Sequence, residues 1–172
     1  MIPFTFSQKI EFIITDSMVE NATNSVVNEI TNQIEAEKPS KLTINQFQIS
    51  FSGGSFRRNV PNIRLNILSQ IHHGIIQVTV SKNKLIVFYR LWYTEMFVIV
   101  TVVSILFALL LIISSGFTIQ SLWVALIIWA FLYLGNYVIS VIRFNIFIHS
   151  AINKLDFITD NEYKIFQENE QT

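Results

Sequence analysis

Several residue types are scarce in this chain of 172 residues, and each shortage excludes a class of protein. Cysteine is absent, which excludes a disulfide framework, a cysteine-ligated zinc site and thiol catalysis. Only 14% of the residues are charged, whereas an average soluble domain carries about 25%. Hydrophobic residues make up 51% of the chain. The composition is that of an apolar, charge-poor protein with room for one domain, alone or with a membrane segment.

The 12 basic and 12 acidic residues cancel in number, but they are unevenly distributed. Residues 1–40 and 143–172 are acidic overall, and no charged residue occurs from Met96 to Ile142. Between positions 41 and 92 there are seven basic residues and no acidic one: Lys41, Arg57, Arg58, Arg64, Lys82, Lys84 and Arg90. The neutral total therefore conceals a basic block that directly precedes an uncharged one.

The uncharged run is long enough for two membrane-spanning helices, because a bilayer core of ~30 Å needs about 20 apolar helical residues. Small and polar residues with one glycine lie between Ser114 and Gln120 and predict a tight turn. We expect a transmembrane hairpin with spans at about 93–115 and 120–142, and hence the lipid bilayer as a partner. A buried hairpin in a soluble protein would need a larger surrounding shell than the rest of this chain provides.

Basic residues flank the outer ends of the predicted hairpin and are missing from its connecting turn. Lys82, Lys84 and Arg90 precede the first span, and Arg143 and Lys154 follow the second. Because cytoplasmic segments next to spans carry an excess of Lys and Arg, we expect both termini in the cytoplasm. The predicted location is the inner (plasma) membrane.

The segment before the hairpin, residues 1–92, is predicted to be a cytosolic domain that begins with a strand and a helix. Apolar and polar residues alternate over 4–15, as in a half-buried strand. Ser17 followed by Glu20 matches a capping box, and the amphipathic pattern after it predicts a helix to about position 37.

Four more strands are predicted in the rest of this domain. The parity of apolar residues changes within 42–51, which predicts one strand with a β-bulge near Asn45. Alternating or apolar runs predict strands at 63–67, 76–80 and 85–91. The order β-α-β-β-β-β predicts an α+β domain, an antiparallel sheet with one packed helix and cystatin-like topology.

The chain is thus expected to have three parts: the sensor or docking domain 1–92, the hairpin 93–142 and an extension 143–172. Apolar residues recur every three or four positions from Phe144 to Ile158, which predicts that the second span continues as an amphipathic cytosolic helix. The stripe could pack under the sheet or against a neighbouring subunit, and an acidic tail follows it.

The chain lacks the motifs that usually carry catalysis. A glycine-rich phosphate loop, a nucleophile elbow and a metal-binding pattern are all missing. Adjacent His72 and His73 would point to opposite faces of a strand and make a poor chelate. We therefore predict a non-enzyme without a cofactor or a metal.

The basic block is the first feature with a functional interpretation. Arg57, Arg58 and Arg64 surround one predicted turn and strand, and Lys82 and Lys84 lie on the last predicted hairpin. Attraction to the anionic inner leaflet is one explanation, and it suits the lysines next to the span best. A binding site for a phosphate-bearing ligand is the other, because guanidinium groups match phosphate oxygens in paired hydrogen bonds.

The second feature is a narrow stripe of small or polar residues on each predicted span. The stripes comprise Thr101, Ser104, Ala108, Leu111 and Ser115 on the first span, and Trp129, Tyr133, Asn136, Ser140 and Arg143 on the second. They could serve helix packing. They could also line a pore, which would require a ring of subunits because one hairpin cannot enclose a channel. Arg90 and Arg143 at the inner mouth would then favour anions, and Asn136, polar within the span, is the leading single functional candidate.

A cytosolic domain joined to a short hairpin resembles the compact two-span membrane effectors of bacterial nucleotide-signalling antiphage defence systems. The resemblance covers the architecture of most of the chain and involves no family-specific motif. It implies a ligand-gated homo-oligomeric ion channel with a nucleotide or oligonucleotide ligand at the basic block. Two alternatives stay open: a non-conducting accessory subunit that docks a protein partner in a larger membrane complex, and a membrane-linked lipid carrier.

Overall fold

The computed structural model describes residues 5–14, 19–53, 67–81, 84–116 and 118–155. These contain five strands, three α-helices and one short 3-10 helix, which confirms the predicted α+β class. The elements are β1 (Thr5–Ile13), α1 (Val19–Ala36), β2 (Lys41–Asn45), β3 (Gln48–Ser52), the 3-10 helix (Ile67–Gln70), β4 (His73–Ser81), β5 (Lys84–Trp92), α2 (Thr94–Ser115) and α3 (Ile119–Asn153).

The strands form one open antiparallel sheet in the order β1-β5-β4-β3-β2. After β1, the chain passes through α1 to the opposite edge of the sheet and then returns strand by strand, so that β5 ends beside β1. Helix α1 contacts β3, β4 and α3, and it ends where Lys38 adopts a left-handed conformation (φ 53°) before Pro39. The cystatin-like topology is not confirmed.

Side-chain alternation divides the sheet into an inner and an outer face. On the central strand β5, Leu85, Val87, Tyr89 and Leu91 point inward and are buried. The intervening residues point outward, and Lys84 and Arg90 among them are exposed. Because α1 and the second half of α3 cover the inner face, the core lies between the sheet and these two helices.

The predicted bulge near Asn45 is wrong: a hairpin occupies this position. Strands β2 and β3 pair from Lys41↔Ser52 to Asn45↔Gln48, and a two-residue turn joins them. Its first residue, Gln46, has a φ of 49°, which lets the chain reverse. The change of apolar parity therefore marks a reversal of direction rather than an extra residue.

The strand predicted at 63–67 lies outside the described residues except at its last position, which begins the 3-10 helix instead. That helix packs Leu68 into the core, and Ile71 follows it and is fully buried. The described domain still has five strands, because the hairpin of β2 and β3 adds one that was not predicted.

Helices α2 and α3 form an antiparallel apolar hairpin close to the predicted spans. Gly116 ends α2 with a φ of 78°, and the hydroxyl oxygen of Thr118 accepts a hydrogen bond from the Ser121 backbone N–H at the start of α3. Both helices are long and apolar enough to cross a membrane. In the most apolar stretch of each helix, only 11% of α2 and 17% of α3 is buried, whereas a core helix of a soluble protein is mostly buried.

Helix α3 belongs to both the hairpin and the sheet domain. It runs unbroken for 35 residues, about 52 Å at 1.5 Å per residue, past the expected boundary at position 142. In its second half, Phe144 is fully buried and stacks on Phe51 of β3 at 6.0 Å between ring centroids. The same ring lies 5.1 Å from that of Tyr89 on β5. The stripe that follows the span thus packs under the sheet of its own chain.

Candidate functional site

The first candidate region is the contact between α2 and α3, here called the hairpin seam. Its side chains come mainly from the two predicted stripes and from two aromatic residues near the start of α2. The seam comprises Tyr93, Phe97, Thr101 and Ser104 on one side and Trp129, Tyr133, Tyr137 and Ser140 on the other. The two stripes therefore face each other within one chain.

Aromatic rings fill the half of the seam nearest the sheet. Phe97 meets Trp129 and Tyr133 edge to face, at 5.9 and 5.6 Å between centroids, and Tyr93 meets Tyr137 in the same way at 5.0 Å. Trp129, Tyr133 and Tyr137 also stack along α3. Edge-to-face and offset stacks are the preferred aromatic geometries, so this half of the seam is well packed.

Polar groups in the seam are only partly paired. The Trp129 indole N–H donates to the Thr101 hydroxyl at 3.1 Å, and this hydroxyl donates to the Phe97 carbonyl at 2.8 Å. The buried Ser104 hydroxyl, by contrast, has no hydrogen-bond partner among the described residues. An unpaired hydroxyl in an apolar environment is unfavourable. The Ser104 hydroxyl is thus a polar group of the seam that a water or another chain could satisfy.

The other stripe residues differ in burial. Tyr133 and Ser140 are buried, whereas Thr101, Ala108, Leu111 and Asn136 are half-buried along the same line. The backbone of Ser115 ends α2. The sequence pattern thus located the face of each helix that meets the other, but it did not reveal that Tyr93 and Phe97 contribute to the same contact.

The hydrogen bond between Trp129 and Thr101 can be measured with a double-mutant cycle. We expect Trp129→Phe and Thr101→Val each to lower the free energy of unfolding in detergent, with a coupling of about 0.6 kcal/mol, as is typical of hydrogen bonds between membrane helices. Phe at position 129 retains the ring contact with Phe97 and removes only the N–H donor. Purely additive effects of the two substitutions would contradict the hydrogen bond.

The junction between the hairpin and the sheet domain is held by polar contacts. The Gln70 side-chain amide donates to Asn136 Oδ1 at 3.0 Å, and the Asn136 amide donates to the Leu132 carbonyl at 2.7 Å. His72 Nδ1 lies 2.7 Å from Glu95 Oε1 in the first turn of α2. Asn136, expected within the span, therefore contacts a residue of the sheet domain. This contact joins residues 66 positions apart, which periodicity does not reveal.

The second candidate region is the outer sheet face, formed by the outward side chains of all five strands. Its charged and aromatic members are Lys9, Glu11, Lys41, His73, Lys84, Phe88, Arg90 and Trp92. Four cations thus share the face with a single acid. Among the described residues, α1 and α3 pack on the opposite face, so these cations belong to an open surface.

The centre of the outer sheet face combines cationic and aromatic groups. Arg90 is exposed, and its guanidinium carbon lies 5.8 Å from the centre of the Phe88 ring. One rung closer to the hairpin, the ring of Trp92 lies 5.1 Å from that of His73. Burial, followed by the charges of His72 and Lys41, lowers the pKa of His73, so this imidazole adds no charge at neutral pH.

The predicted ligand-binding and mouth residues are found in different places. Lys84 lies on the outer sheet face, while Arg57, Arg58, Arg64 and Lys82 lie outside the described residues. Strand pairing brings Lys9 and Lys41, which were not predicted to bind a ligand, to the same face as Lys84 and Arg90. The outward position of Lys9 in the alternating pattern of the first strand could have indicated this. Arg90 is on the outer sheet face and the half-buried Arg143 is on α3, which packs on the inner face.

The described chain stops at Gly53 and resumes at position 67, and these two points lie side by side. A Cβ added to Gly53 would be 2.1 Å from the Leu68 carbonyl oxygen and 2.3 Å from that of Ile71. Gln70, three residues after the chain resumes, contacts Asn136 of the hairpin. Both ends of the segment that carries the three predicted arginines are therefore close to the junction.

Glu11 links the two lysines at the far end of the outer sheet face. Its carboxylate oxygens lie 2.6 Å from Lys9 Nζ and 3.0 Å from Lys84 Nζ. Hydrogen bonds from Lys9 and then Lys84, together with their charges, lower the pKa of Glu11 from 4.5 to about 2. The carboxylate remains ionised at any physiological pH and offsets part of the local positive charge.

This arrangement predicts an acid-sensitive contribution to stability. The pKa of Glu11 is lower in the folded chain than in the unfolded one. The stability that this carboxylate contributes is therefore complete above pH 4.5 and is lost as the pH falls toward 2. We expect Glu11→Gln to be less stable than the native chain at pH 5, with the difference shrinking by pH 2.5. Urea unfolding of both proteins in detergent at several pH values measures this. A difference that stays constant over the range would contradict the prediction.

Comparison of the chain with protein-family models, with curated proteins and with solved structures gives no match.

Proposed function

We propose that the protein is an oligomeric effector of the inner membrane whose sheet domain binds an anionic ligand and whose hairpin then changes membrane permeability. The observation that carries this proposal is the shared helix α3. Its first half forms the hairpin seam with α2, and its second half lies in the core of the sheet domain. A displacement of the sheet domain therefore moves one wall of the seam.

The outer sheet face supports the choice of ligand. Arg90 and the lysines at positions 9, 41 and 84 supply donors that suit phosphate oxygens. Phe88 and Trp92 lie on either side of Arg90 along β5, and aromatic rings of this kind can stack on nucleobases. Together with the resemblance of the layout to two-span nucleotide-signalling effectors, this makes nucleotides the first ligands to test.

The polar content of the seam supports a change of permeability. A ring of subunits in which α2 and α3 of each chain separate would expose Thr101 and Ser104 to water. Ser104, which lacks a partner in the closed seam, would gain one from that water. Both termini are proposed to be cytoplasmic, because the basic residues lie at the outer ends of the hairpin.

A flux assay in liposomes tests the proposal. The purified protein is reconstituted and ion release is followed with nucleoside triphosphates, cyclic dinucleotides and short single-stranded oligonucleotides, with a known pore-forming peptide as the positive control. We expect at least one of these nucleotide classes to change the flux. Vesicles that remain impermeable with and without every nucleotide would refute the proposal.

Matched lysine variants test the position of the ligand. We expect Lys41→Gln to weaken the nucleotide response about tenfold, the effect of losing one hydrogen bond to a charged group. Lys154→Gln removes a lysine that lies 3.5 Å from Glu29 of α1, away from the outer sheet face, and should leave the response unchanged. Equal effects of the two changes would show that total charge, and not the outer sheet face, governs the response.

A non-conducting accessory subunit is the second candidate, favoured by the way the two stripes face each other within one chain. It predicts a stable stoichiometric complex with a larger membrane protein and no flux under any condition.

Attraction of the arginine segment to anionic lipid is a further alternative for the basic block, supported by the position of its two ends near the junction. In that case, binding of the protein to the vesicle would depend on the fraction of anionic lipid and not on the nucleotide.

A further inference from the structure

On the outer sheet face, two exposed cations have no acidic partner among the described residues. Lys9 and Lys84 share the carboxylate of Glu11, whereas Lys41 and Arg90 form no ion pair there. The four cations and one acid give this side of the described sheet a net charge of +3. A surface with such an excess of one sign is complementary to an anionic partner.

Helix α3 ends beside β1, which is an edge strand of the sheet. The His149 ring lies 5.6 Å from that of Phe12, at the end of β1 that pairs with the start of β5. The helix stops at Asn153, and Leu155 still packs against the core. The chain therefore leaves the core at the sheet edge next to the strand that carries Lys84.

Residues 156–172 follow directly and are here called the acidic tail. Its acidic residues are Asp156, Asp160, Glu162, Glu168 and Glu170. With Lys164 as the one basic residue, the net charge of the tail is −4, opposite in sign to that of the outer sheet face. A segment of this length can span about 55 Å at ~3.3 Å per residue, enough to pass around β1 and reach every cation of the face.

We propose that the acidic tail of each chain binds the outer sheet face of the same chain, with its carboxylates on Lys41 and Arg90. Phe157, Tyr163 and Phe166 of the tail supply rings that can pack on the aromatic residues of β5. The contact itself needs no ligand. Its consequence, that a nucleotide must displace the tail, rests on the proposed function and gives the same site a means of regulation.

The covalent link favours the tail over a free anion as the occupant. A tethered segment acts at an effective concentration that reaches the millimolar range, which a free peptide of the same charge would have to match. The link also favours the tail's own chain over a neighbouring copy, because α3 ends at the edge of the sheet that the tail has to pass. Exposed ion pairs are individually weak, so a ligand with denser charge can displace the tail.

The absence of cysteine permits spin labels at chosen positions of the full chain in detergent. Gln167→Cys places one label in the acidic tail without changing its charge. Thr79→Cys places the second label on an exposed position of the outer sheet face. As the matched control, Asn28→Cys places it on α1, next to Glu29, which contacts Lys154 close to the start of the tail. Dilution with excess cysteine-free protein restricts double electron-electron resonance to distances within one chain.

We expect a narrow distance distribution between positions 167 and 79 and a broad one between 167 and 28. Glu168→Gln combined with Glu170→Gln should lower the ratio of bound to free tail about fivefold, the effect of two exposed ion pairs, and Lys164→Gln should raise it. The narrow distribution should be lost in about 1 M salt, where the screening length is only about 3 Å.

Three results would overturn the proposal. The first is an equally broad distribution for both label pairs at low salt. The second is a narrow distribution that neither salt nor the glutamine changes affect, because the contact would then not depend on charge. The third is a narrow distribution that disappears on dilution, which would assign the contact to a neighbouring copy. None of these measurements uses a nucleotide or a flux, so the tail contact can fail while the proposed function stands, and the reverse.

Discussion

Replacing Phe144 by alanine is expected to lower the free energy of unfolding by about 3–5 kcal/mol, the range for truncating a buried phenylalanine. The ring is fully buried between Phe51 and Tyr89, where the second half of α3 meets the sheet. Its removal leaves a cavity that neither strand can fill without giving up its pairing. Thermal and urea unfolding in detergent, followed by circular dichroism, measure the loss.

The same helix provides a matched control. Phe131 is 78% exposed on the apolar outside of α3, so its truncation leaves no cavity. We expect Phe131→Ala to change the stability by less than about 0.5 kcal/mol. Similar losses at the two positions would contradict the placement of α3 in the core of the sheet domain.

Gly53→Ala is expected to destabilise the protein by about 2–3 kcal/mol, at the upper end of the cost of overpacking. The added Cβ would meet the carbonyl oxygens of Leu68 and Ile71 at distances that no real contact allows. Both obstacles are backbone atoms, so the 3-10 helix and the strand after it would have to move away from β3. Such a movement also disturbs Gln70 and its hydrogen bond to Asn136.

Gly135→Ala is expected to have the opposite effect on stability. Nothing lies within 4 Å of a Cβ added at this position, and the residue is inside α3. Alanine is favoured over glycine in a helix interior by up to about 1 kcal/mol, so we expect a modest gain in stability. The two variants are compared by their unfolding midpoints in the same detergent, and a loss at both positions would contradict the steric explanation for Gly53.

Periodicity predicted those parts of the fold whose signal lies within a few residues. The uncharged run and the small residues at 114–120 located α2 and α3, and the alternation around Lys9 and Glu11 located β1 and its outward face. The reversal at Gln46 escaped prediction because its turn contains neither glycine nor asparagine at the position of positive φ. A change of parity alone does not distinguish a bulge from a turn.

The long-range arrangement could not be predicted, because strand partners leave no local mark in one sequence. Pairing of β1 with β5 is what brings Lys9 and Lys84 to the same carboxylate, although they are 75 positions apart. The stripes on the two spans were visible, yet their spacing is the same whether they meet each other or line a channel. The hydrogen bond from Trp129 to Thr101, together with the ring contacts of Phe97 with Trp129 and Tyr133, assigns them to a shared seam in this chain.

In the proposed membrane arrangement, the unbroken course of α3 also links the protein to the physical state of the bilayer. Membrane helices respond to a thinner hydrocarbon layer by tilting. Since the last turns of α3 are fixed beneath the sheet, a tilted span would carry the whole domain with it. The height and inclination of the outer sheet face above the lipid headgroups would then vary with membrane thickness, so lipid chain length would act on the same helix as the proposed ligand.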